Sequence, residues 1–201
     1  MIDDYIFDKL PELAKKTTFL WVGYYATTHP HDPIPSSQAT LRAARGRVSD
    51  EHVQATTKQY AWSQPSDPTA LIPMAGDVAV NVGIYVRAIL RHPAVSLPAK
   101  YTMVIMENIS FTDTVRMWSD VTGQPAEYVE ISVETFDGRF PKIGAELAAQ
   151  WKWGETVRDW GSLREGMVRG KELGVDEREL VGLREFLEGS KELLTAGGPA
   201  E

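Results

Sequence analysis

The sequence predicts an α/β fold: a short parallel sheet with flanking helices and a helical carboxyl-terminal lobe. Three observations carry that reading. Residues 16–25, KTTFLWVGYY, form a β-branched and aromatic run that ends in a glycine and two tyrosines. Residues 100–107, KYTMVIME, are a second apolar run of strand length. Between them Val82, Tyr85, Val86, Ile89 and Leu90 recur at helical spacing, as expected of a helix crossing between two parallel strands. Near-continuous apolar strands suit a parallel sheet covered on both faces.

Taken in order, residues 3–14 read as a short amphipathic helix with Tyr5, Ile6, Leu10 and Leu13 on one side, interrupted near Pro11. The first strand follows at 17–22. Residues 29–73 are proline-rich and polar without sustained periodicity, and a long stretch of that kind is functional or disordered. A helix at 49–60 and a short edge strand at 60–63 are the elements its pattern allows. Asp77 or Asn81 caps the next helix and Pro93 closes it, with Arg87 and Arg91 on a separate face.

Residues 110–122 are the best-punctuated helix. Ser110 is its N-cap, Asp113 completes a variant of the capping box, and Gly123 and Pro125 stop it. Phe111, Val115, Trp118 and Thr122 make its buried stripe. A third strand is expected at 127–133, EYVEISV. Beyond it Pro141 fits a first-turn position, and Ile143, Leu147 and Trp151 follow at four-residue spacing. Asp176 and Glu179 open a last helix whose Leu180, Leu183, Leu187 and Leu194 form one apolar face. Residues 196–201 read as a frayed tail, leaving a single domain over 1–195.

Composition narrows the function classes. The 201 residues are 43% hydrophobic and 24% charged, an ordinary globular balance. A net charge of −7 argues against general nucleic-acid binding, which needs a basic stripe. With no cysteine, disulfides, thiolate metal sites and cysteine nucleophiles are excluded. Neither a secretory leader nor a run of membrane-spanning length is present, so a cytoplasmic location is expected.

Ligands of open α/β enzymes sit beyond the carboxyl ends of parallel strands. Residues 21–25 are therefore read as the rim of a small-molecule pocket, with Tyr24 or Tyr25 a hydrogen-bond donor; the plainer reading is a strand end where the aromatics only pack. Trp118, Trp151, Trp153 and Trp160 are further candidates for a cavity wall, although Trp118 also belongs to its helix's stripe. Trp151 and Trp153 cannot share a helix face. The candidate substrate-pocket residues are Trp21, Tyr25, Trp118 and Trp151.

Tyr5 and Lys9 have the spacing with which a phenol and an ammonium share a helix face for proton transfer. They stand too close to Gly23 for the usual long helix, turn and full strand, so packing for Tyr5 and solvation for Lys9 are expected, and no residue is assigned a catalytic role. His29, His31 and Asp32 are metal-capable, but no further residue at supporting spacing completes a definite ligand set, so no metal is expected. Arg42, Arg45 and Arg47 form a basic cluster read as a solvated loop. No Gly-x-Ser-x-Gly motif supports a hydrolase. No glycine-rich turn able to cradle a pyrophosphate precedes the first strand.

The ordered series of residues 16–25, 76–93 (GDVAVNVGIYVRAILRHP), 100–110 (KYTMVIMENIS), 117–132 (MWSDVTGQPAEYVEIS) and 171–188 (KELGVDERELVGLREFLE) resembles the carboxyl-terminal half of NmrA-like proteins, atypical short-chain dehydrogenases common in fungi. The resemblance runs over residues 1–190. It implies an incomplete Rossmann-like parallel sheet, NADP as cofactor and a carboxyl-terminal lobe closing over a small aromatic or polyketide-derived metabolite of fungal secondary metabolism. By position, Val22, Gly23, Tyr24 and Tyr25 fall where the family's post-strand loop approaches the nicotinamide. The glycine fingerprint, the ribose contacts and the active-site lysine of the family would lie before Met1. That leaves a bare sheet edge for a second copy or a partner to cover. The expected function is an NADP-linked oxidoreductase or a shortened relative. The alternatives are a non-catalytic binding or regulatory module, and a cofactor-independent cyclase or isomerase.

Overall fold

The computed structural model describes residues 2–26 and 60–195. They fall into two compact units. The first contains residues 2–25, 73–107 and 159–182; the second contains 26, 60–72, 108–158 and 183–195. The expected helix at 49–60 (all but Tyr60, which is strand), the His29–His31–Asp32 group, the arginine cluster at 42–47 and the tail at 196–201 lie outside the described residues.

In the first unit, helix α1 (Ile2–Lys9) stops at Leu10, and α2 (Pro11–Ala14) restarts with the proline in its first turn, where no amide hydrogen is needed. Strand β1 (Thr18–Val22) pairs in parallel with β5 (Lys100–Val104), Thr18 opposite Lys100 through Val22 opposite Val104. The crossover between them is α3 (Val78–Arg91) and the short α4 (Pro93–Ser96). Among the described residues β1 pairs on this side alone.

The two faces of the β1–β5 pair are covered differently. On one, Leu20, Val22 and Val104 pack with Ala75, Tyr85, Val82 and Leu180. On the other, the Phe19 and Tyr101 rings stack at 4.8 Å, Phe7 of α1 lies 5.4 Å from Phe19, and Trp21 meets Tyr101 edge-on. The Tyr101 hydroxyl donates to Asp3 at 3.0 Å. Asp3 and Phe7, four residues apart, are thus the inward face of α1. Of the expected stripe of Tyr5, Ile6, Leu10 and Leu13, Ile6 is half-buried and the others are exposed, Tyr5 by 60%.

Helix α3 is capped as expected by Asp77, whose carboxylate accepts from the Ala79 amide at 2.9 Å. Its buried face is Asn81, Tyr85 and Ala88. Val86 points outward and Leu90 is 75% exposed, so the apolar spacing in the sequence marks a stripe wider than the buried one. Asn81, fully buried, donates from Nδ2 to the Ala75 and Val181 carbonyls at 2.8 and 2.9 Å. Its Oδ1 accepts from the Val181 amide at 2.9 Å.

Two strands carry the chain between the units: β4 (Leu71–Gly76) and β6 (Glu107–Ser110). Neither was expected, because Pro73 and the polar pair Glu107–Asn108 break the strand pattern. Strand β2 (Tyr24–Tyr25) pairs in parallel with β4.

In the second unit, β3 (Tyr60–Gln64) pairs in parallel with β7 (Ala126–Glu130). Among the described residues β3 pairs with β7 alone, as expected of an edge strand, and every one of its residues is buried. Helix α5 (Phe111–Thr122) follows its sequence cues closely. The Ser110 hydroxyl accepts from the Asp113 amide at 3.0 Å, the stripe of Phe111, Val115, Trp118 and Thr122 is buried, and Gly123 takes φ +72°. Then come α6 (Val133–Arg139), capped by Ser132, and α7 (Gly144–Thr156). The latter begins after Pro141 rather than at it. The last expected helix divides. Asp176 caps a short 3-10 turn (Glu177–Glu179), while Leu183 and Leu187 are the buried residues of α8 (Leu183–Gly189), followed by α9 (Lys191–Thr195). Leu180 belongs instead to the core of the first unit.

Replacing Asn81 by alanine removes its bonds to the Ala75 carbonyl and to the amide and carbonyl of half-buried Val181; the Val181 carbonyl keeps the Asp77 amide, and a buried group left unsatisfied costs about 1–3 kcal/mol. Urea denaturation of Asn81→Ala should show a loss of roughly 2–4 kcal/mol, against about 1 kcal/mol for Gly123→Ala at its open, left-handed cap.

Candidate functional site

The chain leaves β1 through a constriction. The Gly23 amide donates to the Val104 carbonyl at 3.0 Å. A Cβ at Gly23 would stand 2.3 Å from the Pro73 carbonyl oxygen and 3.3 Å from that of Val104. Both obstacles are backbone, so only glycine fits between β4 and β5. Beyond it Tyr24 pairs with Met74 and Tyr25 with Gly76, with a register shift between the two.

The side chains of this exit diverge. Val22 turns into the core with Val104 and Tyr85. Tyr24 is half-buried, its ring edge-on to Trp160 at 5.9 Å, and burial pushes its phenol up to about 12. At neutral pH it is therefore a hydrogen-bond donor and cannot serve as a base. Tyr25 is 55% exposed, and Trp21 is half-buried against Tyr101.

In the second unit, Trp118 is buried edge-on against Tyr60 at 5.0 Å, and Trp151 is buried 5.6 Å from Phe111. Trp153 faces outward. Tyr5 and Lys9 are both exposed on α1, so solvation of Lys9 agrees with expectation while Tyr5 does not pack.

A dinucleotide needs a phosphate cradle as well as a nicotinamide loop, and the helix that follows β4 is the place to look for one. Gly76, at φ +67°, precedes α3. The space there is taken: a Cβ on Gly76 would meet the Val181 carbonyl at 2.1 Å, the Asp77 amide donates to that carbonyl, and the Asp77 carboxylate closes the first turn. A second anion does not fit. The N-terminus of α3 therefore offers no cradle for a dinucleotide phosphate.

Sequence reasoning missed a cavity in the first unit, lined in part by Tyr85, Met103, Met106 and Met167, with Arg169 and Lys171 at its edge. The available signal was the pair of cations flanking Gly170 in MVRGK, just after a methionine.

Residues 45–186 match the model of the NmrA-like family. Among solved structures, a nucleoside-diphosphate-sugar epimerase from Staphylococcus aureus is similar with a TM-score of 0.59 and 16% identity, over 92% of this chain and 57% of that one. L-threonine 3-dehydrogenase from Trypanosoma brucei gives 0.50 and 11%, over 97% and 51%. NmrA, a negative transcriptional regulator solved in complex with NADP, gives 0.45 and 15%, over 89% and 54%. No curated protein sequence matches the chain. The chain spans a little over half the length of the structures it resembles, and at these identities the likeness is one of fold. No described helix is long and apolar enough to cross a membrane.

The Tyr24 phenol yields a pH prediction. Its ordinary value is 10.0 and its folded value about 12, so the unfolded chain ionises first as pH rises. The stabilisation is complete below pH 10 and is lost between pH 10 and 12. Denaturation midpoints of wild type should fall through that window, and Tyr24→Phe should remove roughly 2 kcal/mol of the fall.

Proposed function

The chain belongs to the NmrA-like family, and from that premise we propose that it forms the nicotinamide-side loop and substrate lobe of an NADP-linked oxidoreductase. The observation that carries the reading is the constricted exit of β1. At the carboxyl end of a parallel strand pair, Gly23 lets the chain turn out of the sheet in close contact with the backbones of β4 and β5, and Tyr24 follows as a phenol held protonated. That phenol suits hydrogen bonding to a carboxamide or a substrate carbonyl. A small aromatic or polyketide-derived metabolite fits the aromatic character of Trp21 and Tyr25 at this exit.

The N-terminus of α3 offers the pyrophosphate no cradle, so the exit of β1 by itself holds the cofactor weakly. A second copy or a partner pairing along the open side of β1 would supply further contacts and cover that edge. The same lack of a cradle favours, as the second reading, a binding or regulatory module that senses the nicotinamide end without turnover.

Titration of the full chain with NADPH, followed by nicotinamide fluorescence and tryptophan quenching, tests the proposal. Saturable binding is expected with Kd on the order of 0.1–1 mM. Tyr24→Phe, which keeps the ring, should weaken it by about threefold to tenfold. Folded wild-type protein that shows no binding up to about 10 mM would overturn the reading. Binding without NADPH oxidation across a panel of aromatic and polyketide-type carbonyl compounds would select the regulatory module.

A further inference from the structure

Residues 159–182 close over the outer side of β5. The Val168 amide donates to the Tyr101 carbonyl at 2.7 Å, and Val168 bridges Thr102 in parallel register. Two residues later Gly170 lies directly against Tyr85: a Cβ there would stand 2.6 Å from the Tyr85 hydroxyl. Between this segment, α3 and the end of β5 is a cavity of about 340 Å³, within the range of small-molecule sites.

Its surface is divided by chemistry. The buried part is apolar, with Met103, Val168 and Leu180 beneath half-buried Met106 and Met167. Methionine is unbranched and polarizable and adapts to differently shaped apolar ligands. The exposed part is polar, with Arg169, Lys171 and Glu177. The Arg169 guanidinium lies beside Gly161 on the cavity wall. Its pairing with Asp159 is long, 3.7 Å, and solvent-exposed, an interaction of little worth that a better anion displaces. Tyr85 adds a hydroxyl beside Gly170, kept protonated by burial and then by the nearby Glu177. Donors therefore outnumber carboxylates at the mouth.

We infer that this cavity is a binding site for a small organic carboxylate, its apolar body over the methionines and its carboxylate between Arg169 and Lys171. Simple phosphate would leave the apolar floor unused, and an organic cation would meet two like charges. The site shares no residue with the exit of β1, so it stands or falls apart from the cofactor proposal.

The probes are octanoate and its uncharged counterpart 1-octanol, added to full-length protein carrying 13C-methyl methionine. The six methionines are assigned by single Met→Leu variants. Octanoate should shift the Met103, Met106 and Met167 methyls saturably, and bind about tenfold tighter than octanol. The double variant Arg169→Ala/Lys171→Ala alters exposed side chains only. It should abolish that preference while changing octanol affinity less than about twofold. If these three methyls stay unmoved up to about 10 mM octanoate, the site does not exist. If wild type binds the acid and the alcohol equally, the carboxylate assignment is wrong.

Discussion

One buried side chain, Asn81, organises the first unit. Its amide ties the end of β4 at Ala75, the first turn of α3 and the backbone of Val181 into one joint. A fully buried amide is tolerable only because both of its ends are hydrogen-bonded. The joint dictates its neighbours: position 76 has to be glycine, because it turns with a positive φ and the Val181 carbonyl occupies the place of a side chain. Helix α3 then leaves at an angle that sets Tyr85 against Val104 and Leu180. Arg87 on the same helix pairs with Glu179 at the surface, a contact that contributes little beside the buried amide.

The candidate site inherits its shape from backbone rather than from side chains. Pro73, three residues before Gly76 in β4, presses its carbonyl against Gly23, while Val104 of β5 holds the Gly23 amide. The position of the exit loop is thus fixed by neighbouring strands. What the side chains add is chemistry: a protonated phenol at Tyr24 and an aromatic flank at Trp160. The N-terminus of α3 is filled from within, by Asp77 and Val181, and leaves no room for a phosphate.

Elements with local punctuation were legible in the sequence. Ser110, Asp113 and Gly123 bound α5 because capping is chemistry between near neighbours. The first strand and its glycine exit were legible for a similar reason. Elements defined by distant partners were not. β4 contains Pro73 and looks like loop until β2 lies beside it, and the face that α1 turns to the sheet is set by Tyr101, far along the chain. The Leu180–Leu183–Leu187 series reads as one stripe by spacing, yet Leu180 and Leu183 fall in different units. At the site, Gly23 was visible and its reason was not, since no local pattern reveals the Pro73 carbonyl. The methionine cavity needs residues from three stretches of chain, and no spacing rule joins those.

The first unit is discontinuous, and that bears on how the protein is made. Asn81 and Val181 are 100 positions apart, and the second unit's residues 108–158 are inserted between them. A ribosome therefore releases β1, α3 and β5 well before the stretch that locks them. Contacts of such long sequence separation form late, and until then Asn81, the Ala75 carbonyl and the apolar face of α3 wait in an unfinished core open to chaperones and proteases. The carboxyl-terminal stretch acts as the clasp of this chain, and a nascent product interrupted before Val181 would reach the cell with its first unit unfastened.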